Sequence, residues 1–242
     1  MKRVASLYSL PALYESVTRL HTETEKEIEA LHALFSSRSV RSVLDVACGI
    51  GRLSIPLAQR GYEVVGIDLS ESQIAYAQKH AQELGAHSAH FRVEDANSFS
   101  FPGEFDAAIC MWTTFAEEPL IQEQIADNVS RSLAPGGIFV IENRWWDAVL
   151  EPQRTIKNFA LPDGTPVVQT IEDAFVGAVR KRTIDYVIGD KHFVDYRSTK
   201  VLRHADIETI LARHGFAIVD HITGYKHKND TLIVGQKGNG SL

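Results

Sequence analysis

The residues best placed for chemistry lie in residues 42–53, which read SVLDVACGIGRL. The apolar run predicts a buried strand, and Gly49-Ile50-Gly51 predicts a tight turn that opens a helix. Glycine lets the backbone turn sharply and pass within contact distance of a ligand. Asp45 lies near the end of the strand, four residues before Gly49 and within reach of the turn. This arrangement predicts a pocket the size of a nucleotide.

A second acid, Asp68, ends another apolar run and follows Gly51 by 17 residues. In an open parallel sheet that position adjoins the glycine turn, where a carboxylate can accept hydrogen bonds from both hydroxyls of a ribose. A nicotinamide-binding fold also requires a third glycine, in Gly-x-Gly-x-x-Gly, and this chain has Ser54 there. The sequence therefore disfavours a nicotinamide-dependent oxidoreductase, which stays open as an alternative.

The acid four residues ahead of Gly-x-Gly resembles motif I of the class I S-adenosylmethionine-dependent methyltransferases. The resemblance continues in the family's order through GIDLS, HFRVEDANSF, FDAAICMWTTF and SLAPGGIFVIE, and covers residues 42–142. Beyond residue 143 it is a resemblance of layout, and it points to small-molecule enzymes, including amino-sugar N-methyltransferases. It implies an α/β fold with a doubly wound, seven-stranded, mostly parallel sheet. The implied methyl donor is S-adenosyl-L-methionine, with S-adenosyl-L-homocysteine as product.

The resemblance implies roles for residues at the adenosine end of the donor. Asp68 would bind the ribose diol, and Leu69 would lie against the adenine face. Asp95 would accept the adenine amino group while the backbone amide of Ala96 meets a ring nitrogen, with Glu94 as the rival acid. Helix capping is the alternative for both aspartates, although Ser70 already stands in the capping position after Asp68.

The methionine end of the donor has its own implied residues. Gly49 and Gly51 would admit this part of the donor, Asp45 would hold its ammonium directly or through water, and Ala47 belongs to the same turn. Cys110 and Met111 would reach the donor through backbone carbonyls, and Tyr14 would reach it from an N-terminal segment folded over it, unless it anchors the terminus. Arg52 is interpreted as a solvated side chain rather than a ligand of the donor carboxylate.

The chain's only three tryptophans, Trp112, Trp145 and Trp146, follow strand ends toward which the donor methyl should point. Aromatic faces stabilise cations by about 0.5–2 kcal/mol, so these residues are predicted to line the acceptor pocket, with plain packing as the alternative.

No catalytic base is assigned. The conceivable candidates are His21, Glu142, His192 and His204. The absence of an Asn-Pro-Pro-Tyr-like sequence after the fourth strand disfavours methylation of an adenine amino group.

The apolar periodicity predicts alternating helices and strands that position these residues. An amphipathic helix is expected over residues 12–36, with the acids and lysine at 23–29 on its polar side. The further predicted strands are 43–46, 64–67, 90–93, 105–111, 138–142, 216–220 and 231–235, and the further helices are 70–84, 119–133 and 204–214. Residues 134–137 are predicted to form a turn. Such alternation favours right-handed crossovers and a doubly wound sheet with its ligand over the carboxyl ends of the strands.

Residues 144–203 break this rhythm and predict an antiparallel insertion after strand five. The expected organisation is an N-terminal lid and helix (1–36), a cofactor-binding core (37–143), a substrate platform (144–203) and a C-terminal helix and hairpin (204–237). The acceptor is expected to be enclosed by residues 8–21, the turn at 145–146 and the strands over 154–201.

Composition narrows the function further. The 242 residues, 44% of them apolar, suffice for one sizeable core, and the net charge of −6 argues against a nucleic-acid partner and for a neutral or cationic acceptor. Cys48 and Cys110 are interpreted as core residues without metal-binding spacing.

Neither a signal peptide nor a membrane span is predicted, so a cytoplasmic enzyme with a small-molecule substrate and no membrane partner is expected. A protein or RNA methyltransferase and a catalytically silent cofactor-binding module stay open.

Overall fold

The computed structural model describes residues 6–19, 23–144 and 151–239. These residues form two compact units. The large unit comprises residues 23–116, 120–144 and 202–239, and the small unit comprises residues 6–19, 117–119 and 151–201.

The helices and strands follow one another in a regular order. The helices are α1 (Pro11–Arg19), α2 (Thr24–Ser37), α3 (Ser54–Gln59), α4 (Glu71–Glu83), α5 (Gln122–Ser132) and α6 (His204–Arg213). The strands are β1 (Ser42–Val46), β2 (Glu63–Asp68), β3 (Ala89–Val93), β4 (Phe105–Cys110), β5 (Leu133–Arg144), β6 (Gln153–Ala160), β7 (Pro166–Val176), β8 (Val179–Ile188), β9 (Lys191–Lys200), β10 (Phe216–Thr223) and β11 (Asp230–Lys237).

The large unit contains a seven-stranded sheet in the order β10-β11-β5-β4-β1-β2-β3. All neighbours pair in parallel except β11, which runs antiparallel to β5 and β10. The carboxyl ends of β1, β2 and β4 therefore meet at one edge, which we call the carboxyl edge. The pairing of Thr223 with Thr231, and of Thr231 with Asn143, brings the turn between β10 and β11 to the same edge. This topology confirms the predicted fold class.

The central strands β1 and β4 are buried on both faces, because helices cover each side of the sheet and successive strand residues point to opposite sides. Val43 packs with α2, α3 and α4 on one face, whereas its neighbour Leu44 packs with α5 and α6 on the other. Cys48 and Cys110 are buried, one in each of these cores, as predicted. No helix in the described ranges is long and apolar enough to cross a membrane.

The small unit contains a four-stranded antiparallel sheet in the order β6-β7-β8-β9. It confirms the antiparallel insertion predicted after strand five. One face of this sheet packs against the N-terminal segment, where Leu7 and Val17 are buried with Ile184 and Phe193.

Two element predictions are wrong. The single helix expected over 12–36 is two helices, because Glu23 at the start of α2 has φ −104° and ψ 54°, outside the helical region. The turn expected at 134–137 belongs to β5, which begins at Leu133 beside Phe105 and resumes regular pairing at Ile138 after a register shift. Helix α2 belongs to the large unit rather than to a separate N-terminal segment.

Candidate functional site

The turn after β1 has the close-approach geometry that the sequence predicts. Ala47, Gly49 and Gly51 all have left-handed backbone conformations, with φ of 60°, 57° and 76°. A Cβ atom on Gly51 would lie 2.8 Å from the ring of Phe91, so this glycine also admits a tightly packed neighbour. The turn holds its backbone close to the carboxyl edge, where a ligand can approach it.

The crowding at Gly51 predicts that Gly51→Ala destabilises the large unit. The matched control is Gly85→Ala, because Gly85 has a similar φ of 67° with no atom within 4 Å of the added Cβ. Both variants incur the conformational cost of a left-handed alanine, roughly 1–2 kcal/mol. Gly51→Ala should lose about 1 kcal/mol more in the free energy of unfolding, measured in urea, because Phe91 must shift. Equal losses in both variants would contradict this account.

Asp68, at the end of β2, is tied directly to the glycine turn. Its Oδ2 accepts a hydrogen bond from the Gly49 N–H at 2.9 Å, and its Oδ1 accepts one from the Ser70 N–H, also at 2.9 Å. Ser70 caps α4 by accepting from the Gln73 N–H, so Asp68 is not the cap of that helix. Burial raises the pKa of Asp68, and these backbone hydrogen bonds partly offset the shift.

Leu69 lies beside this carboxylate and is 68% exposed. An exposed leucine next to a fixed acid offers a flat ring an apolar surface adjacent to a hydrogen-bond acceptor. The structure therefore brings together Gly49, Asp68 and Leu69, as a site for a nucleoside requires.

Asp95 follows β3 on the same edge. Its Oδ1 accepts from the Asn97 N–H at 2.8 Å, and within the described chain its Oδ2 makes no hydrogen bond. The rival acid, Glu94, donates its backbone N–H to the carbonyl of Asp68 at 3.1 Å, which ties the ends of β2 and β3 together. Ala96, next to Asp95, is buried. Asp95 thus keeps one carboxylate oxygen available to a ligand.

Asp45 is buried beneath the turn and is only 4% exposed. Its Oδ2 accepts a hydrogen bond from Ser54 Oγ at 2.6 Å. Burial raises the pKa of Asp45 to about 7, against the opposing effects of Ser54 and Arg52. Asp45 therefore titrates near neutral pH. Ser54, at the position where a dinucleotide-binding fold has glycine, is its hydrogen-bond donor.

Trp112 is held by side chains from three separate segments of the chain, α2, β5 and the turn before α3. Its backbone N–H donates to Glu142 Oε2 at 2.6 Å, and its indole N–H donates to Glu27 Oε1 at 3.0 Å. The Arg52 guanidinium lies over its ring, 4.4 Å from the centroid. The residue itself has a left-handed backbone, with φ 62°. Its ring is therefore held in one orientation at the end of β4, whether it packs or lines a pocket.

The same contacts show that two sequence interpretations are wrong. Arg52 is not solvated, because its side chain is 18% exposed and hydrogen-bonds both Glu27 and Thr24. Glu27 is not on a polar helix face, because its side chain is fully buried. Burial opposes the charge of Glu27, but Arg52 and Lys226 outweigh burial and lower its pKa.

Lys226, in the turn between β10 and β11, completes this network and was missed by the sequence analysis. Its Nζ lies 2.5 Å from Glu27 Oε1, 2.7 Å from Glu142 Oε1 and 4.0 Å from Asp230. Burial lowers the pKa of Lys226, but the carboxylates of Glu142 and Glu27 outweigh burial and raise it. We call Glu27, Arg52, Trp112, Glu142 and Lys226 the tryptophan network.

The remaining predicted residues are placed as follows. Cys110 and Met111 are buried at the end of β4 on the carboxyl edge. Tyr14 lies on α1 in the small unit, with its ring 4.8 Å from that of Tyr8, and its contact with the donor stays a prediction. Trp145, Trp146 and His21 lie outside the described residues.

Among the candidate bases, Glu142 has both carboxylate oxygens engaged in the tryptophan network. His192 lies 2.7 Å from Asp185 in the small unit. His204, at the start of α6, stacks on His221 at 6.2 Å. None of these contacts identifies a catalytic base.

Comparison with known proteins supports the interpretation of this edge. A family model described as a methyltransferase domain matches residues 43–137, which contain the glycine turn, Asp68 and Asp95. Glycine N-methyltransferase from Oryctolagus cuniculus is 30% identical over 199 residues, covering 73% of this chain and 65% of the relative. A ubiquinone biosynthesis O-methyltransferase from Methylococcus capsulatus is 35% identical over 100 residues, 37% of this chain and 42% of the relative. The chain thus spans less than two thirds of the length of these curated relatives.

Solved structures share the fold at lower sequence identity. An S-adenosylmethionine-dependent methyltransferase from Clostridium acetobutylicum superposes with a TM-score of 0.80 at 18% identity, covering 94% of this chain and 97% of the other. An amino pentose methyltransferase from Micromonospora echinaspora, solved with S-adenosylmethionine bound, has a TM-score of 0.79 at 20% identity, covering 93% and 96%. These likenesses establish the architecture.

Proposed function

Because the chain carries a methyltransferase domain with the class I fold, we propose that it is an S-adenosylmethionine-dependent methyltransferase that acts on an amine or hydroxyl of a small molecule. The observation that carries the proposal is the Asp68 carboxylate, bonded to the Gly49 N–H beside the exposed Leu69. That arrangement offers a nucleoside an acceptor, an open backbone turn and an apolar surface at one edge.

The described residues fit both ends of the donor, the adenosine and the amino acid. Asp68 and Leu69 would hold the adenosine, with Asp95 and the amide of Ala96 at the base. Ala47, Gly49, Gly51 and Asp45 would hold the amino-acid end, together with the backbone at Cys110 and Met111. When bound, the donor supplies an electrophilic methyl group on a sulfonium. The role of the chain is to align the acceptor with that methyl, and alignment alone can contribute about 7–11 kcal/mol.

A small-molecule acceptor is the substrate class that the relatives favour. The similar curated proteins are named for glycine N-methylation and ubiquinone biosynthesis, and the similar structures include an amino pentose methyltransferase. Tyr14, Trp112, Trp145 and Trp146 remain the proposed aromatic residues around donor and acceptor, with the insertion as a substrate platform. We further propose a cytoplasmic location and no nucleic-acid or membrane partner.

Titration calorimetry tests the donor class. S-adenosyl-L-homocysteine should bind the wild-type protein and NAD should not. Tight NAD binding would favour the nicotinamide-dependent alternative. Incubating metabolite pools and macromolecule fractions with labelled donor then tests the acceptor class, and label entering only protein or RNA would contradict a small-molecule substrate.

Asp45 gives donor binding an expected pH dependence. Without ligand its pKa of about 7 keeps the carboxyl protonated in mildly acidic solution. An ammonium bound beside it favours the carboxylate, so binding releases a proton and becomes stronger as the pH rises. The dissociation constant for S-adenosyl-L-homocysteine should be roughly tenfold weaker at pH 6 than at pH 8. Calorimetry in buffers of different ionisation enthalpy measures both the affinity and the proton release.

The control for this prediction is Asp45→Asn, which removes the titrating group and keeps an acceptor for Ser54. Its dissociation constant should vary less than twofold over the same pH range. A pH slope that persists in this variant would assign the titration to another group.

A further inference from the structure

The segment after β4 turns in a conformation that its residues rarely adopt. Trp112 and Thr113 both have left-handed backbones, with φ of 62° and 59°, and the Thr114 N–H donates to the Met111 carbonyl at 3.2 Å. Positive φ at both central residues is the pattern of a type I′ turn, which is normally formed by glycine, asparagine or aspartate. Tryptophan and a β-branched threonine are unfavourable there. Strain of this kind persists where the surrounding structure enforces it, and it concentrates at functional sites.

Two buried carboxylates hold this turn, one at the ring of Trp112 and one at its backbone. Glu27 Oε1 accepts the indole N–H at 3.0 Å, and Glu142 Oε2 accepts the backbone N–H at 2.6 Å. Lys226 bridges the two carboxylates, because its Nζ lies 2.5 Å from Glu27 Oε1 and 2.7 Å from Glu142 Oε1. Burial raises the pKa of Glu27, but Arg52 and Lys226 outweigh burial and keep this carboxylate ionised at neutral pH. Hydrogen bonds to an ionised acceptor are the stronger kind, so the indole is firmly held.

The residues that hold Trp112 are buried, whereas Trp112 itself is partly exposed. The side chains of Glu27, Glu142 and Lys226 are 0%, 4% and 7% exposed, and Trp112 falls between the buried and the exposed residues. Well-packed apolar residues can often replace a buried ion pair without loss of stability. Stability alone therefore does not account for three buried charges around a residue that solvent still reaches.

Trp112 lies on the carboxyl edge beside the proposed donor site. It directly follows Met111, and Arg52, whose guanidinium lies over its ring, directly follows Gly51. Because β1 and β4 are neighbours in the sheet, the indole lies between the segments that follow these two strands. Every residue of the tryptophan network belongs to the large unit.

We propose that Glu27 is a positioning residue for methyl transfer, which holds the indole of Trp112 as a preformed wall of the acceptor site. Glu27 acts through the orientation of Trp112 and does not touch the reacting atoms. A wall of this kind contributes by orienting the acceptor, and small misplacements of a substrate lower the rate steeply. The assignment to methyl transfer rests on the proposed function, whereas the fixed indole does not.

NMR spectroscopy tests the fixed indole without any methyl donor. In protein carrying isotope-labelled tryptophan, the Trp112 indole signal is the one missing from Trp112→Phe. Its proton should exchange with solvent at least about fivefold faster in Glu27→Gln than in the wild type, because a neutral amide is a weaker acceptor than a carboxylate. The matched control is Glu29→Gln, which removes an exposed acid from the same helix and should leave the exchange rate within twofold. Equal rates in these three proteins would overturn the fixed indole.

The acceptor found by labelled-donor screening then tests the role in the reaction. Trp112→Phe keeps an aromatic ring and every charge of the network but removes the indole N–H, so it should lower kcat/KM for that acceptor about 10- to 100-fold. Glu27→Gln should also lower it, while the dissociation constant for S-adenosyl-L-homocysteine stays within twofold in both variants. Because Glu27 acts through Trp112, the double variant should be no worse than Trp112→Phe alone.

Additive losses in the double variant, or a kcat/KM within twofold of the wild type in Trp112→Phe, would overturn the positioning role. Trp112→Phe decides the matter even if Glu27→Gln does not fold, because it leaves Glu27 paired with Arg52 and Lys226. Failure of the wild type to bind S-adenosyl-L-homocysteine would instead count against the proposed function, and the exchange measurement would still decide whether the indole is fixed.

Discussion

Lys226→Met is expected to lower the free energy of unfolding by about 3–5 kcal/mol, the usual cost of removing one partner from a buried ion pair. The side chain of Lys226 is 7% exposed, and its ammonium lies within 2.7 Å of both Glu27 and Glu142. Without it, these two buried carboxylates keep only Arg52 as a nearby cation of the network. Urea unfolding followed by circular dichroism measures the loss.

The matched control is Lys228→Met, which removes an exposed lysine from the same turn. Such a surface change should stay within about 0.5 kcal/mol. Similar losses in the two variants, or a loss below 1 kcal/mol in Lys226→Met, would show that the network contributes little to stability.

The fold was predictable because local patterns and tertiary structure agree in the large unit. Strands β1 and β4 are short, mostly apolar runs, so alternate residues such as Val43 and Leu44 fill the cores on the two sides of the sheet. The positions of the proposed donor-site residues in the fold were predictable for a related reason. Asp45, Gly49 and Asp68 sit at strand ends and turns, whose spacing fixes their place on the carboxyl edge.

The tryptophan network was not predictable from the sequence. Glu27 lies among charged residues on α2, a pattern typical of a solvated helix face. Its partner Lys226 is 199 positions away, in a turn that reaches the carboxyl edge only because β11 runs antiparallel to β5. No local pattern contains that contact, and the same is true of Arg52, whose burial depends on Trp112 and Glu27.

The burial of several polar residues in the small unit was not predictable for a different reason. Alternation of polar and apolar residues on a strand normally assigns the polar side to solvent. In β8 and β9 the buried face itself carries polar residues, including Arg180, Asp195 and Thr199. Periodicity indicates which residues share a face, whereas only tertiary structure shows that this face is buried and incompletely hydrogen-bonded.

Asp68→Ala is expected to weaken the binding of S-adenosyl-L-homocysteine by about 10- to 150-fold, because it removes a charged acceptor from the ribose hydroxyls. The carboxylate also accepts two backbone N–H groups, so loss of affinity could reflect a disturbed turn. Asp106→Ala separates the two effects, because Asp106 accepts the N–H groups of Arg41 and Ser42 at the opposite edge of the same sheet. Both variants should lose stability in urea, but in calorimetry only Asp68→Ala should lose affinity. If the two dissociation constants stay equal, Asp68 is a structural acid and the ribose binds elsewhere.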